Sequence, residues 1–478
     1  MKNNCSWNDF IDNIKNEYKD KIGIKVREIT ISSSKIFIIY IPQITDRERL
    51  SVDIIKPIIQ YKNSKVNIED IADSVIYLDD IFINSGKDKL IDYVVKGNSI
   101  IILDNEEKYI VANTYKVEKR GIESPQLQNV LRGPKDAFTE NFDSNISLIR
   151  YRIKDSSLII KSSIIGKRTK TSLAIIYLKD VANELYVNQI TESLNEINVD
   201  GIVESGYIQK FLCGKSKNLF PKVGLVERSD AACGEILRGK ICIIVEGSNI
   251  ALIMPQTLPE FLKPEDDYYE NIYMSLFLKF LRISSFLMSL ILSPLYIAII
   301  SFHPDILPPQ YILVLAASRI TVPVNAVLEI TIMELVTEIL KESSLRLPKQ
   351  IGSAISIVGT IVIGQAAVSA GLVSALTVII VSLSTITSFI SPDYSITYPI
   401  RILKFFMIII TGILGLVGFV VSLTIIMLTI SSNNSFGIPY TSPAAPINLK
   451  DIKNYLLSDI RLERERPEFL KNKDKTRQ

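Results

Sequence analysis

FFMIIITGILGLVGFVVSLTIIMLTI, residues 405–430, carries no charged side chain over its whole length. A membrane span needs about 20 predominantly apolar residues to cross the hydrocarbon layer, so this stretch places the C-terminal half of the chain in a bilayer. Three further apolar runs lie upstream: SSFLMSLILSPLYIAIISF (284–302), IGSAISIVGTIVIGQAAVSAGLV (351–373) and SALTVIIVSLSTITSFI (374–390). The first two reach span length and the third falls just short. Spans are therefore expected at 283–302, 351–371, 374–391 and 405–430, within a transmembrane domain of 276–431. No comparable run precedes residue 270. The predicted fold class is a cytosolic α/β N-terminal region of two subdomains followed by an α-helical polytopic transmembrane domain.

Between the first two runs, 303–350 is apolar but interrupted by Pro308, Pro309 and Pro323, and it carries Arg319, Glu329, Glu334 and Glu338. Each charge at the bilayer centre costs about 2.5–3.5 kcal/mol on insertion scales, which excludes a simple lipid-facing helix. Broken helices at membrane depth are tolerated where protein or a water-filled cavity surrounds them, so 306–340 is expected to be broken or re-entrant. Glu334 and Glu338 are four apart and share one helical face. That face suits either an interfacial amphipathic helix or a cavity-lining one.

The helix at 351–371 has two distinct sides. One carries Gly352, Ser356, Gly359, Thr360, Gly364, Ala367 and Gly371, with Ser353, Ala366 and Ala370. Small residues let helix backbones approach closely in lipid, and this side is expected to clamp neighbouring protomers. The other side presents Val358, Val362, Gln365, Ser369 and Leu372 at about 100° per residue. It is a candidate pore face, because narrow apolar rings gate by dewetting. Alternatively, Gln365 hydrogen-bonds a neighbouring helix. The tail, 432–478, is basic from Lys450 onward, and the positive-inside rule favours a cytoplasmic location for it. With the N-terminal half on the same side, the number of crossings is even, and four are expected. That choice conflicts with the rule at Lys341, Arg346, Lys349, Arg401 and Lys404, which it puts near the outer side.

The first half reads as two α/β subdomains, 1–120 and 146–270, joined by a Pro- and Gly-punctuated linker, 121–145. KIFIIYI (35–41), SIIILD (99–104), YIVANTY (109–115) and TKTSLAIIYLKD (169–180) have strand composition, while 51–61, 64–73 and ANELYVNQITESLNEI are helix-like. KICIIVEGSNIALIMP (240–255) reads as a hairpin. With 478 residues and a net charge of +3, no nucleic-acid partner is indicated. Cys5, Cys213, Cys233 and Cys242 form no C-x-x-C pair, and His303 stands alone, so neither a zinc site nor a disulfide framework is expected. The N-terminus lacks the apolar stretch of a signal peptide. There is no phosphate loop and no dinucleotide turn. Lys167, Arg168 and Lys170 suit either a phosphate or acidic partner or a solvated turn, and Asp200 with Glu204 suit caps more readily than a catalytic pair. The half is expected to be a binding and assembly module, with no catalytic, cofactor or metal site.

The stretches RGPKDAFTENFDSNISLIRYRI (132–153), IGKRTKT (165–171), INVDGIVESGYI (197–208), EILRGKICIIVEGSNIALIMP (235–255), SFHPDILP (301–308), RLPKQIGSAISIVGTIVIGQAAVSAGLVS (346–374) and SFGIPYTSPAAP (435–446) closely resemble the A subunit of the GerA-type spore germinant receptors. The resemblance implies a receptor component in the spore inner membrane, with its N-terminal domain on the cytoplasmic or core side. It would work with a transporter-like B subunit that holds the nutrient and a lipoprotein C subunit. It further implies a homo-oligomer, a pentamer in the family's pattern, that forms a nutrient-gated ion channel, with a soluble domain of two α/β subdomains. The chain departs from the family at Glu227-Arg228-Ser229-Asp230, where a proline usually stands at Ser229, and after Arg319, where Ile320 replaces an acidic residue. Glu329 then becomes the candidate partner of Arg319. Two alternatives stand beside the channel: a secondary-transporter subunit using Arg319, Glu329 and the broken 306–340 segment, and a membrane-anchored scaffold for receptor assembly.

Overall fold

The computed structural model describes residues 7, 10–12, 14, 23–31, 34–61, 67–87, 89–104, 106–116, 133–213, 219–345 and 349–477. These fall into two compact units. The first takes the described residues up to 213 with 223–255 and 464–477, and the second takes 219–222 with 256–463. Residues 121–132 of the expected linker lie outside the described residues.

The first unit holds two five-stranded antiparallel sheets. One comprises β1 (Lys25–Ile31), β2 (Ser34–Tyr40), β3 (Ile81–Ser85), β4 (Asn98–Leu103) and β5 (Lys108–Asn113), in the order β1-β2-β4-β5-β3. Alternate residues of β2 go to opposite cores. Ile36 and Ile38 meet Leu50, Ile54 and Ile58 of a helical run, while Phe37 and Ile39 meet Trp7 and α1 (Leu90–Val95) through Leu90 and Val94. Both faces of the sheet are therefore covered, which is why its central strands read as unbroken apolar runs rather than as alternation. The second sheet has the order β6-β7-β9-β10-β8, from β6 (Leu158–Ile165), β7 (Thr171–Leu178), β8 (Gly224–Val226), β9 (Ile241–Val245) and β10 (Ala251–Met254). Its hairpin registers Leu252 opposite Ile243, inside the stretch expected to form one.

Four helices accompany this sheet: α2 (Phe142–Arg152), α3 (Glu184–Asn195), α4 (Ser205–Leu212) and α5 (Ser229–Leu237). Asn141 and Asn183 cap the first two by accepting the backbone N–H groups of Ser144 and Leu185. Ser229, where the family favours proline, uses what proline lacks. Its N–H donates to the Asp136 carbonyl (3.2 Å), and its Oγ accepts from Arg152 Nε (2.9 Å). The end of the tail also packs on this subdomain. Lys473 N–H donates to the Val181 carbonyl (3.0 Å), Asn472 Nδ2 to that of Arg238 (2.6 Å) and Arg466 Nε to that of Leu237 (2.9 Å).

The second unit is helical, with α6 (Ile272–Ile297, prolonged to Phe302), α7 (Pro309–Arg319), α8 (Ala326–Leu345), α9 (Lys349–Ser369), α10 (Ala375–Ser388), α11 (Tyr394–Ser432) and α12 (Leu449–Leu457). Helix α11 contains the stretch expected as a single span, but it breaks at Gly415, whose φ of 63° and ψ of −139° suit glycine alone. The chain reverses there. A Cβ built on Gly415 would lie 2.7 Å from Phe302 at the far end of α6, yet just beyond α11 the Ser435 Oγ accepts the Gln256 N–H (3.1 Å) and the Tyr440 carbonyl accepts that of Leu258 (2.8 Å), ahead of α6. Helices 394–414 and 416–432 are thus two antiparallel legs.

Side-chain pairings set the remaining directions. Ser293 of α6 meets Glu334 of α8, Tyr296 of α6 meets Thr377 of α10, and Lys341 of α8 meets Ser388 of α10. Helices α8 and α10 therefore run together, both opposite to α6. Helix α9 returns against α8, since Gly359 faces Leu340 and Gly371 faces the Thr321 carbonyl. Among the described residues, six legs alternate in direction: α6, α8, α9, α10 and the two halves of α11. Lys341, beside Ser388, lies near the start of the apolar run of α6, whereas Lys404 meets Glu334 level with Ser293, at the middle of that run. The expected four runs with a broken 306–340 segment thus give way to six legs, because α8 is a full helix among them and the run 405–430 is divided at Gly415.

Candidate functional site

Three carboxylates stand along α8 over about 13.5 Å, at 1.5 Å per residue: Glu329, Glu334 and Glu338. Each meets cations from other elements. Arg401 and Lys404 lie three apart on α11 and so share a face, which runs antiparallel to Glu334 and Glu338. The pairs therefore match as Glu334 with Lys404 and Glu338 with Arg401.

Glu334 is fully buried. Its Oε2 accepts from Lys404 Nζ (2.6 Å) and its Oε1 from Ser293 Oγ (2.6 Å). Glu338 is held by Arg401 and by Lys341 Nζ (3.2 Å), which also reaches Ser388 Oγ (3.0 Å). Neither carboxylate lies on an interfacial surface. Glu329 is fully buried too: Oε1 accepts the backbone N–H of Ser374 at the start of α10, and Oε2 lies 3.5 Å from Arg319 Nη2. Glu329 is thus the partner of Arg319 that the missing adjacent acid called for. This third pair is the loosest, because Glu329 Oε2 and Arg319 Nε are buried without a hydrogen-bond partner among the described residues.

Four cations face three carboxylates, and beside Arg401 and Lys404 a cavity of about 20 Å³ is lined by the hydroxyls of Ser289, Thr387, Ser391 and Thr397. It has room for about one water. Sequence reading singled out the α8 acids but left Arg401 and Lys404 as topological misfits. The complementary spacing of 401/404 and 334/338 was the signal that joins them.

On α9, Val358 and Val362 are each more than half exposed, and Gln365 and Ser369 are exposed with them; Leu372, expected on the same side, lies beyond the end of the helix, after Gly371 has turned the chain. The opposite side packs within the chain. A Cβ on Gly364 would lie 2.7 Å from Val378 of α10 and one on Gly359 3.3 Å from Leu340 of α8, Thr360 is buried, and Ala367 joins Met333, Val373 and Val381. Gly371 takes φ +68° in the turn that follows. Gly352 and Ser356 lie outside the residues whose side chains are described. Gly359, Thr360, Gly364 and Ala367 thus bring α9 against the chain's own α8 and α10, while Ala366 and Ala370 of the small-residue side are exposed, as is the semi-polar side.

In the first unit, a polar cavity of about 350 Å³ opens between the two subdomains, lined by Gln43, Thr45, Asp46, Lys116, Asp143 and Ser147. Burial pushes the Asp46 carboxyl up, but the Lys116 ammonium (2.9 Å) and the N–H groups of Arg49 and Glu48 outweigh it and hold it below the usual range. Thr45 Oγ1 and Gln43 Oε1 are buried without hydrogen-bond partners among the described residues. A small polar ligand suits such a cleft. Lys167, Arg168 and Lys170 form an exposed turn, with the Lys167 and Arg168 N–H groups spent on the Val199 and Asp200 carbonyls. Glu204 caps α4; burial raises its carboxyl, but Ser205, the Gly206 N–H and Ser248 hold it below the usual range. Asp200 and Glu204 are not brought together as a catalytic pair by any described contact.

Comparison with known proteins adds independent observations. The family described as Bacillus/Clostridium GerA spore germination protein matches residues 12–469. Spore germination protein KA of Bacillus subtilis (strain 168) is 34% identical over 97% of this chain and 87% of its own length. Spore germination protein GerLA of Bacillus cereus is 31% identical over 96% and 95%. The crystal structure of the N-terminal domain of the A subunit of the Bacillus megaterium spore germinant receptor GerK3 aligns with 52% of this chain and 94% of that domain, at 24% identity and a TM-score of 0.41.

Proposed function

The chain belongs to the GerA spore germination protein family, and from that premise we propose that it is the A subunit of a nutrient-sensing germinant receptor that oligomerises in the spore inner membrane as a nutrient-gated ion channel. The six alternating legs are read as crossings, with the soluble unit and the tail on the cytoplasmic or core side. The tail supports that reading, since residues 464–477 pack on the N-terminal unit. The 38-residue run Ser395–Ser432 spans about 57 Å if straight, nearly twice the hydrocarbon thickness, which suits a hairpin of two crossings.

The observation that carries the channel reading is the outward, semi-polar side of α9. Val358, Val362, Gln365 and Ser369 stay exposed on a helix that packs Gly359, Thr360, Gly364 and Ala367 inside the protomer. A ring of such helices, five in the family's pattern, would turn valine and glutamine toward a shared axis. Nutrient held by a B subunit, with a lipoprotein C subunit alongside, would shift closed to open by contacting the two states differently. In liposomes the protein is expected to pass monovalent cations, and Val362→Ala or Gln365→Glu to raise the leak and to trigger germination without nutrient. Unchanged conductance and unchanged spores in both variants would remove the pore face.

A second reading, direct capture of a small polar ligand by the soluble half, is favoured by the inter-subdomain cleft with its unsatisfied Thr45 and Gln43 oxygens. Calorimetric titration of the full chain with candidate nutrients tests it. Binding abolished by Thr45→Val would support this reading, and absence of binding in the unaltered protein would end it.

A further inference from the structure

Helix α12 ends against α6. Lys279 of α6 is buried, and its Nζ donates to the Tyr455 carbonyl (2.6 Å), the Leu456 carbonyl (3.0 Å) and Ser458 Oγ. These are the last carbonyls of α12, so a buried cation closes its C-terminus. Arg282, one turn further along α6, is likewise turned inward to Asp267 and the Leu262 carbonyl. Lys279 lies five residues before Ser284, where the first apolar run begins, which is about 7.5 Å along the helix axis. The headgroup layer on each side of a bilayer is about 5–7.5 Å thick. The C-terminal end of α12 is therefore pinned at headgroup depth.

The surfaces left open around α12 and on the first turns of α6 are apolar and aromatic. Ile447 and Leu449 at the start of α12 are three-quarters exposed, and Ile460 and Leu462 beyond its end are half exposed. On α6, Tyr273, Phe277 and Phe280 are exposed at the i, i+4, i+7 spacing of one helical side, in the position of an interfacial aromatic belt. Charge is sorted the same way. Within the segment Asp451 is buried and Asp459 is neutralised by Arg461 (3.0 Å), whereas Lys450 and Lys453 are exposed. Apolar side chains and cations together facing outward at the edge of a span fit one partner, an anionic phospholipid surface.

We infer that residues 447–462 form a membrane-surface segment, with Ile447, Leu449, Ile460 and Leu462 seated among the headgroups of anionic phospholipid and Lys450 and Lys453 paired with their phosphates. This rests on reading 284–302 as a span. The segment is thereby a second membrane attachment, fixed to the first helix through Lys279.

The test uses full-length protein with Trp7→Phe, which removes its one tryptophan, and a new tryptophan at Leu449→Trp, Leu462→Trp or, as a control within the span, Leu287→Trp. Each variant is reconstituted in phosphatidylglycerol vesicles whose acyl chains carry bromine either near the headgroup or deep. The expected result is about a twofold loss of Leu449→Trp and Leu462→Trp emission with shallow bromine, and of Leu287→Trp emission with deep bromine. In phosphatidylcholine, or after Lys450→Glu with Lys453→Glu, the shallow quenching is expected to weaken. If Leu287→Trp is quenched while the tail positions respond only to aqueous acrylamide, or to neither quencher as under a second copy of the chain, the surface segment is refuted and the span stands. If no position responds to bromine, both fail. Quenching indifferent to lipid charge would refute the anionic partner.

Discussion

The Glu334–Lys404 pair sets the most demanding test of the helical unit, because both ends are buried within 2.6 Å of each other. At an effective dielectric of about 20, two unit charges at that distance attract by roughly 6 kcal/mol. Desolvating both ions costs several kcal/mol each, so the pair contributes little net stability although its halves depend on each other strongly. Lys404→Met leaves a carboxylate in the interior with Ser293 Oγ as its remaining donor among the described residues. The expected cost is about 3–5 kcal/mol. Glu334→Gln alone strands the ammonium and is expected to cost a similar amount. The double variant Glu334→Gln, Lys404→Met removes both charges and should recover most of the loss. The assay is a double-mutant cycle on full-length protein in mixed micelles, unfolded by increasing SDS fraction and followed by circular dichroism. A loss below about 1 kcal/mol in both single variants, or a double variant as unstable as the sum of the singles, would refute the buried pairing.

Three further outcomes are expected. Gly364→Val places branched carbons where a single Cβ would already lie 2.7 Å from Val378, so the α9–α10 contact should loosen by about 1–3 kcal/mol, read by the same unfolding assay. Lys279→Met uncaps α12 and should expose the chain after Ser458 to trypsin several-fold faster, at a cost of about 1–2 kcal/mol; unchanged cleavage would show that the tail helix is held by other contacts. Asp46 and Glu204 are both held below the ordinary carboxylate range, so each adds stability that is fully present above its unfolded value and is lost as pH falls through its folded one. Thermal unfolding of the first unit should therefore be level above about pH 5 and decline below about pH 4, with Asp46→Asn flattening part of that decline.

Much of this protein was legible before any contact was known. The isoleucine-rich runs 35–41 and 99–104 read as strands, and β2 and β4 are found there; that both of their faces are covered was decided by the packing. The hairpin at 240–255 and the helix after Asn183 follow from local turn and cap chemistry, which needs no distant partner. The two-sided character of 351–371 and the charge anomaly of 319–338 are likewise properties of spacing along one chain. Other features depend on residues far apart in sequence. Composition cannot distinguish one long helix from two legs at 405–430, since the reversal rests on a single glycine conformation and on Phe302 lying opposite it. Arg401 and Lys404 looked misplaced until α11 was seen to run antiparallel to α8, which turns them onto Glu338 and Glu334. Hydrophobic periodicity and capping are read off neighbours a few residues apart, and the sequence alone determined the α/β half, the apolar half and the two sides of α9. Which helix occupies the small-residue side, where the chain doubles back and which cation neutralises each buried acid were decided only by tertiary packing, because in a low-dielectric interior every charge and every gap must be matched by whatever element the fold brings to it.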